Sequence, residues 1–309
     1  MHPTEVTLRD LIQLQKSAKS IPTLTSHNGA HSPLLGGHLS RQRGRGMEFA
    51  DVRAYQAGDD IRHMDWRLTA RTGEAYTKLY QEERERPVYL IVDYTPSMHF
   101  ATRGTFKSVL AAQIAAMIAW VSVSAGDRVG GLIRTPNEII EIRPRPRKRG
   151  IMALLQSLVT AHAVRPNPDE AIPTWTDLLD RLTHVAKPGS LCVFISDWLN
   201  MRLEDLPRWH SLERHHHCLA FMLADPIEMD VPPPGRYPIH DGERLAWLDL
   251  ENPYERDKFQ TYFAAQHEQA ELLLNRIPMQ YQRLLTTHDI TKILPQYFRG
   301  QLPELRHAG

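Results

Sequence analysis

Two aspartates, each closing an apolar run, mark where this chain could do chemistry. Val88 to Val92 (VYLIV) runs into Asp93, and Leu191 to Ser196 (LCVFIS) runs into Asp197. Hydroxyls follow the first at alternate positions, Asp93-x-Thr95-x-Ser97, and a further one stands at Thr174 or Thr176 in IPTWTDLLDRL. Alternate side chains of an extended loop point the same way, so Asp93, Thr95 and Ser97 can share one face. Carboxylate and hydroxyl oxygens are hard donors suited to Mg²⁺ or Mn²⁺. With few direct carboxylates the ion stays partly uncompensated and favours an acidic ligand from outside. Asp-x-Thr-x-Ser alone recurs by chance, and a strand-end Asp often caps a turn. The second aspartate in a like position makes the pattern a candidate site.

The elements around these residues alternate. Apolar runs read as strands at 88–92, 127–134, 191–196 and 218–223, with an alternating edge strand at 138–143. Between them, helical patterns cover 105–125 (Thr105 as N-cap), 150–161, 176–186 and 203–214. Arg236 to Leu250 reads as a β-hairpin turning at Asp241-Gly242. A long amphipathic helix follows at 254–276, then a strand at 279–286 and a helix at 289–298. Residues 5–19 form a short amphipathic helix packed on the main body, and 20–46 are irregular. Strands alternating with helices argue for a mainly parallel sheet covered on both faces. In such sheets ligands bind beyond the carboxyl ends of the strands.

Composition bounds the rest. The chain has 309 residues, 42% hydrophobic, with 37 Lys plus Arg against 36 Asp plus Glu. That is enough apolar content for a sizeable core and no net charge calling for a polyanion. Cys192 and Cys218 lie in apolar runs; two buried thiols suit a reducing compartment. No residue from Ser108 to Gly126 is charged, which approaches membrane-span length. The segment is Ala-rich, carries Gln113, Ser122 and Ser124, and follows the aspartate motif where a doubly wound fold needs a buried helix. It reads as a core helix.

Other chemistries fall away. VYLIVDYT resembles the start of haloacid-dehalogenase-type phosphatases, but Thr95 stands where their second Asp is required. No G-x-x-x-x-G-K-[ST] loop occurs. His215, His216 and His217 are consecutive and cannot all face one ion from a strand. The runs Arg143-Pro-Arg-Pro-Arg-Lys-Arg149 and Arg41, Arg43, Arg45 lack interleaved aromatics. They read as solvated faces or docking patches for acidic proteins, not as nucleic-acid sites.

Asp93-x-Thr95-x-Ser97, a Thr at a later helix start and Asp197 after a central strand together resemble the metal-ion-dependent adhesion site of von Willebrand factor A domains. The resemblance favours Thr176 over Thr174, and Thr95 replaces the usual Ser while keeping the hydroxyl. Upstream, GRGMEFADVRAYQAGDDIRHMDWRLTAR resembles the signature of the bacterial domain of unknown function 58 family. Gly44, Gly46, Glu48, Phe49, Arg53, Tyr55, Gly58, Asp59, Asp60, Arg62, Asp65, Trp66, Ala70 and Arg71 match it. The charged block Gly58, Asp59, Asp60, Arg62, Asp65, Trp66 and Arg71 reads as a structural network ahead of a docking surface. Trp66 reads as an anchor in the interface between the extension and the main domain.

The expected architecture is α/β: a doubly wound, mainly parallel sheet of von Willebrand factor A type, Rossmann-like in its winding. It carries a β-rich N-terminal extension and a hairpin insertion. The expected divisions are 1–40 (helix and irregular segment), 41–86 (charged extension) and 87–300 (main domain, insertion near 230–250). The resemblance implies a protein-interaction module with Mg²⁺ (or Mn²⁺) held by Ser97, Thr95 and Thr176, and Asp93 and Asp197 in the outer shell. The partner would supply an Asp or Glu. Members of the family sit beside MoxR-type AAA+ ATPases, which implies an accessory role in maturing protein complexes, with such an ATPase or its client as partner. Many relatives carry N-terminal membrane helices that this chain lacks, so a cytoplasmic protein without a direct membrane span is implied. The alternatives are a metal-dependent hydrolase with Asp197 or Asp65 as base, and an interaction scaffold whose metal site is empty.

Overall fold

The computed structural model describes residues 2–22, 47–56, 61, 64–82, 85–240 and 245–301. The chain divides into two compact units, Gly37–Glu85 and the remainder, Met1–Gly36 with Arg86–Gly309.

The chain opens with two short helices, α1 (Leu8–Gln13) and α2 (Gln15–Ala18). Thr7 caps α1 by accepting the Asp10 N–H. The single amphipathic helix expected over 5–19 is thus broken in two at Leu14. Leu11, Leu14, Ala18 and Ile21 are buried in the main core.

The smaller unit holds an antiparallel pair, β1 (Met47–Ala54) and β2 (Tyr76–Glu82), with α3 (Trp66–Thr72) between them. A β-rich extension was expected, but α3 was not. Asp65 caps α3, accepting the N–H groups of Arg67 at 3.1 Å and Leu68 at 3.0 Å. Gly73, at φ 77, ends the helix in the left-handed conformation that glycine adopts without strain.

The larger unit is built on six strands: β3 (Pro87–Asp93), β4 (Arg128–Arg134), β5 (Ile139–Pro146), β6 (Leu191–Ser196), β7 (His217–Ala224) and, later, β10 (Gln280–Leu285). Their order is β10-β7-β6-β3-β4-β5. All neighbours run parallel except β5, which closes one edge antiparallel to β4. Counting only these six in chain order, this is the 3-2-1-4-5-6 winding of doubly wound sheets.

Helices cover both faces. α4 (Lys107–Ser124) and α5 (Arg147–His162) lie on one side. α6 (Trp175–Val185), α7 (Leu206–His215) and the end of α9 (Pro253–Leu274) lie on the other. α8 (Pro226–Met229) is one turn after β7, and α10 (Ile290–Phe298) follows β10. β8 (Arg236–His240) and β9 (Leu245–Asp249) form a separate two-stranded sheet, the expected insertion. The turn expected at Asp241-Gly242 lies outside the described residues.

α4 is apolar all round because it is buried all round: Leu110, Ile114, Ala115, Met117 and Ile118 are each fully buried. Burying each large side chain stabilises the fold by ~1.5–3 kcal/mol. α4 is the one described helix long and apolar enough to cross a membrane, and 89% of it is inside the fold. It begins two residues after the expected start, with Phe106 as N-cap and no side-chain cap. The expected cap, Thr105, instead donates its N–H to the Thr286 carbonyl.

Candidate functional site

The topological switch of the sheet lies between β3 and β6, and both expected aspartates stand at their carboxyl ends. Asp93 ends β3 and is buried. Its register partner on β4 is Arg134. The guanidinium grips the carboxylate with both arms, Nη2 to Oδ2 at 2.6 Å and Nε to Oδ1 at 3.3 Å. Ser196, at the end of β6, donates its hydroxyl to Oδ2 at 2.6 Å, and the Thr95 N–H donates to Oδ1 at 3.0 Å. Burial alone would push this carboxyl up. Arg134, as charge and as donor, outweighs it and with Ser196 and Thr95 holds Asp93 below the usual carboxylate range.

Arg134 is fixed from behind. Its guanidinium carbon lies 4.5 Å from the ring centre of Trp175, the first residue of α6. Trp175 stacks on Trp198 at 4.9 Å with ring planes 11° apart. Trp198 has φ 63, a left-handed conformation that costs a non-glycine residue ~1–2 kcal/mol. The stack holds it there, together with its N–H to the Ser196 hydroxyl and its indole N–H to the Phe221 carbonyl. The chain therefore turns sharply just after Asp197.

Asp197 meets a second cation. Lys107, the first residue of α4 and fully buried, places its ammonium 3.1 Å from Asp197 Oδ2 and 2.7 Å from Glu228 Oε1 on α8. Burial opposes the charge on Lys107, but the two carboxylates hold its pKa above the ordinary lysine value. Burial pushes Glu228 up, with Lys107 pulling against it. Glu228 also accepts the N–H of Asp225 at 2.8 Å. Asp225 follows β7 as Asp197 follows β6. It accepts bonds from the Thr102 N–H and hydroxyl, the Thr286 hydroxyl and the Ile227 N–H.

The other expected ligands are close by but occupied to different degrees. Thr174 is the N-cap of α6 in a reciprocal box with Asp177. Thr176 donates its hydroxyl to Asp205 at 2.6 Å. Thr95 and Ser97 face one another, hydroxyl to hydroxyl, at 3.5 Å. The five residues expected to hold a metal thus all stand at the carboxyl ends of the strands or on the loops and helix starts beside them. Their charge is another matter. A Mg²⁺ bound at ~2.1 Å from either carboxylate would lie within about 5 Å of the Arg134 guanidinium or the Lys107 ammonium. Asp93 is paired one-to-one with Arg134, Asp197 shares the Lys107 ammonium with Glu228, and among the described residues no three His, Cys, Asp or Glu converge on one point. In this arrangement neither carboxylate is free to serve as a direct ligand, which leaves the hydroxyls of Thr95, Ser97 and Thr176 as the donors for an ion there.

Of the upstream block, Gly58, Asp59, Asp60 and Arg62 lie outside the described residues. Asp65 is the helix cap described above, and Arg71 lies in the last turn of α3. Sequence reasoning missed Arg134, Lys107, Asp225 and Glu228. One signal was present: FMLAD ends in Asp as VYLIVD and LCVFISD do, and GGLIR ends in the opposite charge.

A mainly parallel six-stranded sheet wound in this order, with an antiparallel edge and aspartates at its central strand ends, defines a von Willebrand factor A-like α/β domain. The chain belongs to the family described as Protein of unknown function DUF58, whose model matches residues 51–270. It is similar to uncharacterized proteins of Mycobacterium bovis and Mycobacterium tuberculosis. Each is 29% identical over 271 residues, covering 86% of this chain and 83% of the relative. Among solved structures it is similar to the conserved hypothetical protein BatB from Bacteroides thetaiotaomicron. That match has TM-score 0.41 and 12% identity, over 70% of this chain and 98% of the other. A von Willebrand factor type A protein from Catenulispora acidiphila matches at TM-score 0.39 and 12% identity, over 73% of this chain and 44% of the other.

Proposed function

We propose that this chain is a protein-interaction module that docks its partner on the loops at the carboxyl end of the sheet, in a form held together by its own ion pairs. The observation that carries this is the ion pairing of both strand ends, Asp93 with Arg134 and Asp197 with the Lys107 ammonium that it shares with Glu228. A site built this way keeps its shape without a metal and presents loops instead of an open coordination position. Leu203, 62% exposed in the segment after β6, offers an apolar contact on that face. The partner class is a MoxR-type AAA+ ATPase or its client, as the family resemblance implies. A cytoplasmic placement is part of the same proposal and is in keeping with the free thiols Cys192 and Cys218.

The test is capture on an immobilised MoxR-type ATPase, with and without chelator. The expected result is capture that ignores EDTA and is lost in Leu203→Glu. Capture that requires Mg²⁺ would restore the metal-dependent reading, in which Thr95, Ser97 and Thr176 hold the ion and the partner supplies a carboxylate. That reading draws on the loosely paired hydroxyls of Thr95 and Ser97. The hydrolase alternative looks to Asp197 or Asp65 as base, but Asp197 is held by Lys107 and Asp65 caps α3. A second candidate, Ser108, lies 3.0 Å from His162 Nε2. Ser108 is fully buried and gives a substrate no approach.

A further inference from the structure

The opposite end of the sheet carries a concentrated positive charge. Because β5 runs antiparallel, its last residues sit beside the start of β4, with Pro146 paired to Arg128. Here five of seven consecutive residues are cations: Arg143, Arg145, Arg147, Lys148 and Arg149, all exposed. Arg143 is 3.5 Å from Glu141, a carboxylate that Arg181 already holds at 2.8 Å. Among the described residues the other four have no ion-pair partner.

Three features show that the fold gathers these charges. Gly150 lets the first turn of α5 close onto the end of β5: a Cβ there would lie 2.0 Å from the Arg145 carbonyl oxygen. Arg147 joins strand to helix in the left-handed conformation, φ 57. The first turn of α5 has no acidic residue and no side-chain cap, and its cations oppose the helix dipole. The left-handed Arg147 and the uncapped, cation-rich helix start both cost stability, and an anion from outside would relieve the crowded charge.

We propose that this corner is a docking surface for an extended acidic protein segment with carboxylates at alternate positions. Exposure alternates along β5, Arg143 and Arg145 outward and Pro144 and Pro146 between them. Guanidiniums two residues apart on a strand repeat every ~6.8 Å, the repeat of alternate side chains on any extended chain. Arginine also takes carboxylates two bonds at a time. The prolines lack N–H groups, which discourages strand addition. The segment is therefore held by its side chains. This surface is independent of the proposed partner site at the other end of the sheet.

A labelled dodecapeptide of alternating Glu and Thr, titrated with the full chain and followed by fluorescence anisotropy, tests it. Arg143→Glu/Arg145→Glu/Arg149→Glu should weaken binding by at least about tenfold, since each exposed pair contributes up to ~1 kcal/mol. These side chains are exposed, and circular dichroism checks the fold. Binding by the unaltered chain should also fall steeply between low and high salt. Parallel titrations use phosphatidylserine vesicles and a single-stranded oligonucleotide. Tighter binding to either, salt-insensitive peptide binding, or no peptide binding at low salt would each overturn the proposal.

Discussion

Replacing Lys107 with methionine keeps the length of the side chain and removes its charge. Asp197 and Glu228, both nearly sealed from solvent, would then lose the ammonium that lies within 3.1 and 2.7 Å of them. Removing one partner of a buried ionic set costs ~3–5 kcal/mol, a large part of the ~5–15 kcal/mol that holds a domain folded. The acids can limit that loss by taking a proton. Burial already pushes Glu228 up against the pull of Lys107, so the variant's Glu228 rises further. A carboxyl whose folded pKa is raised adds stability at low pH and loses it as pH rises through the folded value. The deficit of Lys107→Met should therefore widen from pH 5 to pH 8. Urea unfolding followed by the fluorescence of the buried Trp175, Trp198 and Trp209 measures it. Millimolar Mn²⁺ adds a second arm, because the vacated place would offer an ion two carboxylates. At ten times its Kd the ion would return about 1.4 kcal/mol to the variant and nothing to the unaltered chain. A penalty below about 1 kcal/mol at pH 8, a pH-independent penalty, or an equal Mn²⁺ response in both proteins would refute the reasoning.

Two further outcomes follow from the same site and from the far end of the sheet. Asp93→Ala should cost ~3–5 kcal/mol with or without Mg²⁺, because it strands Arg134, whereas Ser97→Ala should stay within about 0.5 kcal/mol. Unfolding curves of the pair decide this, and equal losses would contradict it. Burial pushes Asp127 up to about 6 against a weaker pull from Arg86, so its contribution is present below about pH 4 and is lost as pH rises through 6. Asp127→Asn keeps an acceptor for the Arg86 N–H and has no charge to bury, so its melting temperature should gain on the unaltered chain between pH 4 and 7.

Much of the framework was legible because it depends on local pattern. The runs at 88–92 and 191–196 are continuous apolar stretches, as strands buried on both faces must be, and each became a strand. The positions of Asp93 and Asp197 followed from the ends of those runs. The cations they pair with did not, because those lie 41 and 90 residues away in the chain, and Lys107 reaches 121 residues to Glu228. No spacing rule reaches that far. Arg134 becomes the partner of Asp93 only when β4 pairs with β3 in register, and Lys107 reaches Glu228 only after β7 has joined the sheet. The helix α3 was missed for a smaller reason. Asp65 stands in a run of charges, but its position just before Trp66-Arg67-Leu68 is also that of an N-cap.

The burial of α4 on every side bears on how the chain is made. Leu11, Leu14 and Ala18 cover part of that helix, and the Trp120 indole donates to the Leu11 carbonyl across 109 residues of chain. The cover is synthesised first and must wait for what it covers. Until α1 and α2 return to it, a nascent α4 offers a membrane-length apolar surface to chaperones, to lipid and to its own copies. The opening twenty or so residues thus act late in folding though early in synthesis. Their loss would show as aggregation during expression more than as a change at the binding face.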